Sequence, residues 1–390
     1  MRLHVSPLAA ALLVLGLATT RTSAQSPGER ARYAVRAARI LDPVSGRYSE
    51  PSIILVRDGR IVDVLPSARF RPDIADSTID LGDKTIVPGL IDAHVHLGIG
   101  GPVATTALAD VRAGFTTVVD LGARTTRILT MRDSVNAGGI LGPRVLAAGI
   151  WVGVKNGVCE FNGIGIAGGV EDFRARIREN AKAGAEVAKL CVSGWPQAAF
   201  AEPLKYEMPD EILRASVEEA HRLGRIVVAH DISLGGVRAA LAAGVDGLAH
   251  AAYLDSAAAA RMKSANMFMI PTLASLTGGD TTRAGPALVS AVTLAHRAGV
   301  HLVFGTDGGV LPHGQNAAEF TALVNAGLSP LDAIRAATIN AATAFRIADS
   351  VGVVRRGMAA DLVAVAGDPL QDVRVLERPM FVMSRGRVIR

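Results

Sequence analysis

The residues that could do chemistry come at the ends of apolar runs. His94 and His96 close the stretch Ile86-Val87-Pro88-Gly89-Leu90-Ile91-Asp92-Ala93-His94-Val95-His96-Leu97, which reads as a strand buried on both faces. A strand has period two, so the two imidazoles point one way and Val95 the other. Two imidazoles stacked on one face at a strand end make a bidentate site for a transition metal. Histidines one residue apart also decorate strand ends, so the pair alone does not decide. Four more polar residues end apolar runs farther along: Lys189, His230, His250 and Asp307. Of nine histidines in the chain, four hold such positions, which a random scatter seldom gives.

Imidazoles with one carboxylate suit Zn²⁺, and an open position for water would make such a site catalytic. Lys189 is the odd member, because an ammonium among metal ligands is repulsive. Buried near metal, its pKa would fall, and the neutral amine can add CO₂ to become a carbamate that bridges two ions. A barrel lysine paired with Asp307 or Asp120 is an equal reading on chemistry alone.

The elements that must position these residues form a repeat. A helical run ends at glycine, a short β-branched strand follows, and the unit starts again. It occurs at Arg112-Ala113-Gly114 before Thr116, at Lys182-Ala183-Gly184 before Glu186, and at Arg222-Leu223-Gly224 before Ile226. Further copies are Ala242-Ala243-Gly244 before Gly247 and Arg297-Ala298-Gly299 before Leu302. Glycine just past a helix end takes the left-handed conformation that closes the helix. With strands at 144–151 and 268–273, eight strands lie between residues 86 and 307. Eight βα units in this length predict a closed (β/α)₈ barrel, an α/β fold whose sites lie at the C-terminal ends of its strands. All six polar strand-end residues fall there.

Outside the repeat the chain reads as strands. Residues 33–40, 52–57 and 60–66 come first, with Asp58-Gly59 as a two-residue hairpin turn. After Asp307 come helices at 330–338 and 341–348, then strands at 352–354, 361–366 and 380–389. Neither set makes a stable sheet alone, so residues 33–84 and 350–390 are expected to join in one small β-sandwich beside the barrel of residues 85–349. Segment 153–170, glycine-rich with Cys159, reads as a long mobile loop over the site.

Composition sets the class. Hydrophobic residues make up 49% of the 390 and charged residues 20%, which fits a globular protein and excludes disorder. The net charge of +5 comes without a Lys/Arg run, and aromatics are 4%, so nucleic acid is not an expected partner. Arg2, the apolar run from Leu8 to Ala18, and Thr22-Ser23-Ala24 before Gln25 make residues 1–24 a secretory signal peptide. The run is too short for a membrane span, and no later segment is long and apolar enough. The mature protein is expected in the periplasm or outside the cell, without a membrane partner. Cys159 and Cys191 give no disulfide framework; in an exported protein they pair, or they are two buried thiols.

In this order, His94-Val95-His96, Lys189, His230, His250 and Asp307 resemble the binuclear metal-dependent amidohydrolase superfamily. Val87-Pro88-Gly89-Leu90-Ile91-Asp92-Ala93-His94 is similar to its strand-one signature. Three further motifs narrow the resemblance: Phe304-Gly305-Thr306-Asp307-Gly308-Gly309, Pro312-His313-Gly314 and Ala336-Ala337-Thr338-Ile339-Asn340. With Gly357-Met358-Ala359-Ala360-Asp361-Leu362-Val363, they resemble the imidazolonepropionase-like and Xaa-Pro or Xaa-basic dipeptidase (prolidase-type) branch. The likeness runs from about residue 33 to residue 390.

The resemblance implies a carboxylated Lys189, made with CO₂, bridging two divalent ions, Zn²⁺ foremost. His94, His96 and Asp307 would complete the more buried ion, and His230 and His250 the more exposed one. It implies a metal-bridging hydroxide that attacks the carbonyl of a small substrate, a dipeptide or N-acyl amino acid, with amide (C–N) cleavage. Asp307 would take the hydroxide's proton and hand it to the leaving amine, and His313 would sit near substrate. A homo-oligomer is compatible with all of this.

One departure is that the branch often has an aromatic residue just after the strand-five histidine, where this chain has Asp231 and Ile232. A lactonase, esterase or organophosphate-type hydrolase shares the ligand set and is the alternative. A mononuclear deaminase is the weaker one, since the position for its glutamate is Ser233 and Lys189 would have no role. A non-catalytic barrel would show a lost ligand, and none is missing.

Overall fold

At Gly89 the chain passes from one sheet into another, and the architecture follows from that turn. The computed structural model describes residues 31–277 and 285–390; the leader expected at 1–24 lies outside them. Seven strands lead up to and include the segment before the turn: β1 Ala31–Ala37, β2 Arg39–Asp42, β3 Arg47–Tyr48, β4 Ser52–Arg57, β5 Arg60–Pro66, β6 Ala75–Asp80 and β7 Thr85–Pro88. The next, β8 Leu90–Val95, opens the parallel part of the fold. The apolar run through Gly89 reads as one strand in the sequence, but it is two. A side chain at Gly89 would collide with Thr116 Oγ1 and the Asp361 Cβ, and the Gly89 N–H donates to Asp361 O at 2.8 Å. Only glycine lets the two sheets approach this closely.

The parallel part continues through β9 Phe115–Asp120, β10 Arg144–Ala147, β11 Val152–Gly153, β12 Val187–Cys191 and β13 Ile226–Asp231. It ends with β14 Gly247–His250, β15 Phe268–Ile270 and β16 His301–Leu302. Two parallel sheets result, ordered β10-β9-β8 and β11-β12-β13-β14-β15-β16. Their edges meet at both sides. The Ala93 N–H donates to Phe304 O at 2.9 Å, and the Glu186 N–H to Ala147 O at 3.0 Å. Helices separate most of the strands, and the glycines predicted to stop them do so in left-handed conformation. Gly114, Gly184, Gly224, Gly244 and Gly299 have φ of 96°, 97°, 71°, 79° and 74°.

After the parallel part come β17 Leu362–Val365, β18 Phe381–Ser384 and β19 Arg387–Val388. They extend a six-stranded sheet, β19-β18-β17-β7-β2-β3, while the other four early strands form a sheet of order β5-β4-β1-β6. Thus β7, expected as the start of the barrel's first strand, pairs antiparallel with β17 and parallel with β2. One apolar cluster draws Val35, Ile54 and Ile61 from the smaller sheet, and Ile86, Leu362 and Phe381 from the larger. Both chain ends therefore share a core, as buried apolar faces require.

Several boundaries differ from expectation. Residues 352–354 form no strand. The strand expected at 380–389 is a hairpin, turned by Arg385 (φ 49°) and Gly386 (φ 72°) between β18 and β19. The two helices past Asp307 are one, Pro330–Arg335 and Ala341–Ala344 joined through a π segment, Ala336–Asn340. That segment ties back to the parallel sheet, since the Phe304 N–H donates to Ala336 O at 3.0 Å.

Candidate metal centre

His94 lies in β8 and His96 just past its end. The period of two holds, because both Nε2 atoms face one carboxylate oxygen. Asp307 Oδ1 is 3.4 Å from His94 Nε2 and 3.2 Å from His96 Nε2. Lys189, on β12 and buried, brings Nζ to 3.5 Å from His94 Nε2. His230 on β13 and His250 at the end of β14 pack ring on ring, with centroids 4.7 Å apart, and His250 lies 5.3 Å from the His94 ring. His94, His250 and Asp307 form the tightest set, with one ligand atom each within 4.8 Å of one another. His96 joins it through Asp307, and His230 through His250. Parallel register explains the convergence: Cys191 pairs with His230, and Asp231 with His250, so neighbouring strands end at one level.

The backbone is strained where these side chains leave it. His250 (φ 72°), Ala251 (φ 52°) and Asp307 (φ 58°) are left-handed, a conformation that costs non-glycine residues about 1–3 kcal/mol each. Such strain persists where the surroundings over-determine it, and it clusters at functional sites.

Burial sets the charges. It pushes Lys189 from 10.5 down to about 7, against the opposing pull of Asp307. It holds His94 and His230 well below the usual histidine range, and His250 at about 3. For Asp307 burial acts upward, but the facing His94, His96 and His250 hold it well below the usual carboxylate range. The set thus combines three imidazoles whose charged form burial disfavours, those of His94, His230 and His250, with an ionised carboxylate and an amine that loses its proton near neutrality. His94 Nδ1 and His230 Nε2 are buried without a hydrogen-bond partner. An orphaned buried nitrogen costs about 1–3 kcal/mol; a cation bound at His230 Nε2 would relieve that one, whereas His94 faces Asp307 with its other nitrogen, Nε2. Neutral nitrogen donors with a carboxylate are the ligand chemistry of a borderline divalent ion, and these residues fit it.

Around the set lies a shell that the sequence reading did not single out. Asp92, fully buried, accepts from the His94 N–H (3.1 Å), Thr306 N–H (3.1 Å), Thr306 Oγ1 (2.6 Å) and Asn316 Nδ2 (2.8 Å). Burial raises it to about 7 against those bonds. Asp120 accepts from the Leu97 and Gly122 N–H groups at 2.8 and 3.0 Å. His96 Nδ1 is 2.9 Å from Gly122 O; a carbonyl only accepts, so Nδ1 donates and the contact orients the ring with Nε2 toward Asp307. His250 Nδ1 meets Thr272 Oγ1 at 2.7 Å. An acid inside an unbroken apolar strand, as Asp92 is, was the available sequence signal.

His313, expected near substrate, has its ring held by the protein's own groups. Its side chain is 5% exposed, Nδ1 lies 2.9 Å from Asp110, and Nε2 lies 3.3 Å from His96 O. With both nitrogens engaged, it ties the segment after Asp307 to the helix Val103–Arg112. Burial works against its charged form, but Asp110 outweighs that and raises its pKa.

Segment 153–170 is pinned rather than loose. Cys159 and Cys191 form a disulfide, which fastens it two residues beyond Lys189. The Val158 N–H donates to Glu207 at 2.7 Å, and Arg176 donates to Ile164 O at 3.2 Å. Trp151 packs 5.3 Å from the His96 ring, and Trp195, half-exposed, stands edge-on to His230 at 6.5 Å. An aromatic neighbour of His230 therefore comes from the β12 side and not from the residues that follow His230.

Residues 85–389 match the profile described as the Amidohydrolase family. Over 415 aligned residues the chain is 28% identical to ochratoxinase of Aspergillus niger, covering 91% of this chain and 85% of that one. Among solved structures, a Xaa-Pro dipeptidase with methionine bound in its active site superposes with a TM-score of 0.85 at 28% identity, over 91% of this chain and 99% of that one. A candidate prolidase from Bifidobacterium longum gives 0.83 at 31% identity, over 93% and 95%.

Proposed function

The chain belongs to the amidohydrolase family, and from that premise we propose a binuclear metal-dependent hydrolase that cleaves the amide bond of a dipeptide or N-acyl amino acid. The observation that carries this reading is geometric: His94 Nε2 and His96 Nε2 face Asp307 Oδ1 at 3.4 and 3.2 Å, Lys189 Nζ lies 3.5 Å from His94 Nε2, and His230 Nε2 is buried without a partner. Relatives that act on carbon–nitrogen bonds, a Xaa-Pro dipeptidase and an ochratoxinase, support hydrolysis of an amide.

His94, His96 and Asp307 would hold one ion, and His230 and His250 the other, with Lys189 as a carbamate between them. When bound, divalent ions supply Lewis acidity toward a scissile carbonyl and make water acidic near neutral pH. The rest belongs to the chain. Lys189, neutral above about pH 7, is the amine that can take up CO₂. Asp307, held ionised, takes the proton of the attacking water and returns it to the leaving nitrogen. Trp151 beside His96 and Trp195 beside His230 flank the site.

Two hydrogen-bonded seams between the parallel sheets support a closed (β/α)₈ barrel. A core shared by both outer sheets supports a β-sandwich. The Cys159–Cys191 disulfide supports export, since such bonds persist in oxidising compartments; N-terminal sequencing should find mature protein beginning near Gln25. Among the described residues no helix is long and apolar enough to cross a membrane. The function is tested by a hydrolysis screen of zinc-loaded protein against dipeptides, N-acyl amino acids and lactones. Amide turnover is expected. Ready cleavage of lactones or phosphotriesters with no amide turnover would leave the esterase reading in its place.

A further inference from the structure

Beyond Asp307 the chain runs through Asn316 into the helix Ala318–Asn325, and the first turn of that helix buries a carboxylate, Glu319. Its neighbours on that face are Phe320 and Leu323, and Phe320 packs into a cluster with Phe304 and Phe115. Burying a carboxylate in such surroundings is costly unless its hydrogen bonds are met. Glu319 meets them with two backbone amides, accepting from the Leu273 N–H at 3.0 Å and the Ala274 N–H at 2.6 Å.

Those amides open the short helix Leu273–Leu276 and have no partner within it. The residue before them, Thr272, is left-handed, with φ 56° and ψ 42°. For a β-branched residue that is an outlier, held only by what surrounds it. In this conformation Thr272 Oγ1 lies 2.7 Å from His250 Nδ1, and the Ser275 hydroxyl donates to Thr272 O at 3.0 Å.

We propose that Glu319 is a positioning residue for His250. By receiving the Leu273 and Ala274 amides it holds Thr272 in its left-handed turn, and the Thr272 hydroxyl fixes the His250 ring with its other nitrogen free for the metal cluster. Three residues earlier, Asn316 braces the other side of the site through Asp92, which receives the His94 amide. One short segment after Asp307 thus holds both sides of the centre by separate contacts. The inference rests on the metal reading of His250 made above.

The test is zinc binding to the full mature chain, measured by titration against a chelator, with apo-protein Tm recorded alongside. Glu319→Gln keeps the volume but turns an NH₂ toward one of the two amides. Thr272→Val keeps the shape and removes the hydroxyl, whereas Thr272→Ser restores it. Glu319→Gln and Thr272→Val should weaken one of the two zinc steps by about 10–100-fold, as outer-shell partners of ligating histidines do. The other step should stay within about threefold, and Thr272→Ser should bind like wild type. If Glu319→Gln does not fold, the two Thr272 variants decide. Unchanged zinc affinities in Glu319→Gln and Thr272→Val, with or without a lower Tm, would overturn the proposal and leave Glu319 a structural brace. Wild-type protein that takes up no zinc would remove the metal reading itself, and this inference with it.

Discussion

The two sides of the centre are built differently. Around His94, His96 and Asp307 the support is dense: Asp92 receives four donors, and Gly122 O orients the His96 ring. Around His230 and His250 it is thin. His250 leans on the Thr272 hydroxyl and His230 on the Gly194 backbone, one contact each, while His230 Nε2, like His94 Nδ1 across the site, has no partner. A shell that orients ligands in advance makes a tight, geometrically exact site, and its absence leaves the ion to do the ordering. On the proposed two-ion reading, the first side would be ordered before metal binds, and the second would depend more on the ion. Lys189 stands between them, with Nζ nearest His94.

The sharpest way to break the contrast is to remove the residue that joins the two sides. Lys189→Ala should abolish pairing of the ions and lower activity by about three orders of magnitude or more. Lys189→Met keeps the length without the anion and should fail equally, while partial rescue of the alanine variant by short carboxylic acids would mark the carbamate. Full activity in either variant would contradict the bridge.

Next in size is damage to the densely supported side. Asp92→Ala strands the Thr306 and Asn316 donors and the His94 amide, at about 1–3 kcal/mol for each group left unpaired. Urea unfolding should show a loss of about 3 kcal/mol or more, together with loss of zinc at that side. On the thin side, His230→Ala should release mainly one ion and cost less stability than Asp92→Ala, because it gives up one backbone contact, to Gly194, where Asp92 receives four donors. Equal loss of stability in both variants would erase the distinction between the sides.

A smaller effect concerns pH. The folded-state pKa of Lys189 is depressed to about 7, so its neutral amine is populated above that value and lost below it. Recovery of activity by stripped protein given zinc and bicarbonate should therefore rise from pH 6 to pH 8 and level off. The same shift makes the metal-free protein more stable as pH rises from about 7, because the unfolded chain binds that proton more readily. Recovery independent of pH in this window would show that Lys189 does not need to lose its proton. The smallest expected change is reduction of Cys159–Cys191, which closes a loop of 32 residues. Its loss should cost about 2–4 kcal/mol of stability but only a severalfold drop in turnover, since neither sulfur touches the ligands.

How much of this was legible in sequence depended on range. Glycine after a helix is a local signal, and the five repeats read from it have left-handed glycines where expected. The placing of His94, His230 and His250 at or next to strand ends was readable too, because each follows an apolar run, whereas Lys189 is the middle residue of β12. The break at Gly89 was hidden, since β7 and β8 are buried on both faces and no change of periodicity separates them. The hairpin at Arg385-Gly386 lacks the Asn-Gly or Asp-Gly pair that marks such turns. The supports of the centre were least visible. Asn316 meets Asp92 across 224 positions and Glu319 meets Leu273 across 46, and in sequence both look like the wet face of a helix. The partner of His313 was hidden for the same reason: the resemblance puts this loop residue near substrate, and its ring meets Asp110, on a helix 203 residues earlier.

The central claim is a two-ion centre that performs the hydrolysis. Its most direct test is the metal content, by mass spectrometry, of wild-type protein in the same preparation whose amide turnover is measured. About two divalent ions per chain, lost together with turnover on chelation and restored with it on adding zinc, is the predicted result. Turnover that persists in protein carrying no metal would contradict it.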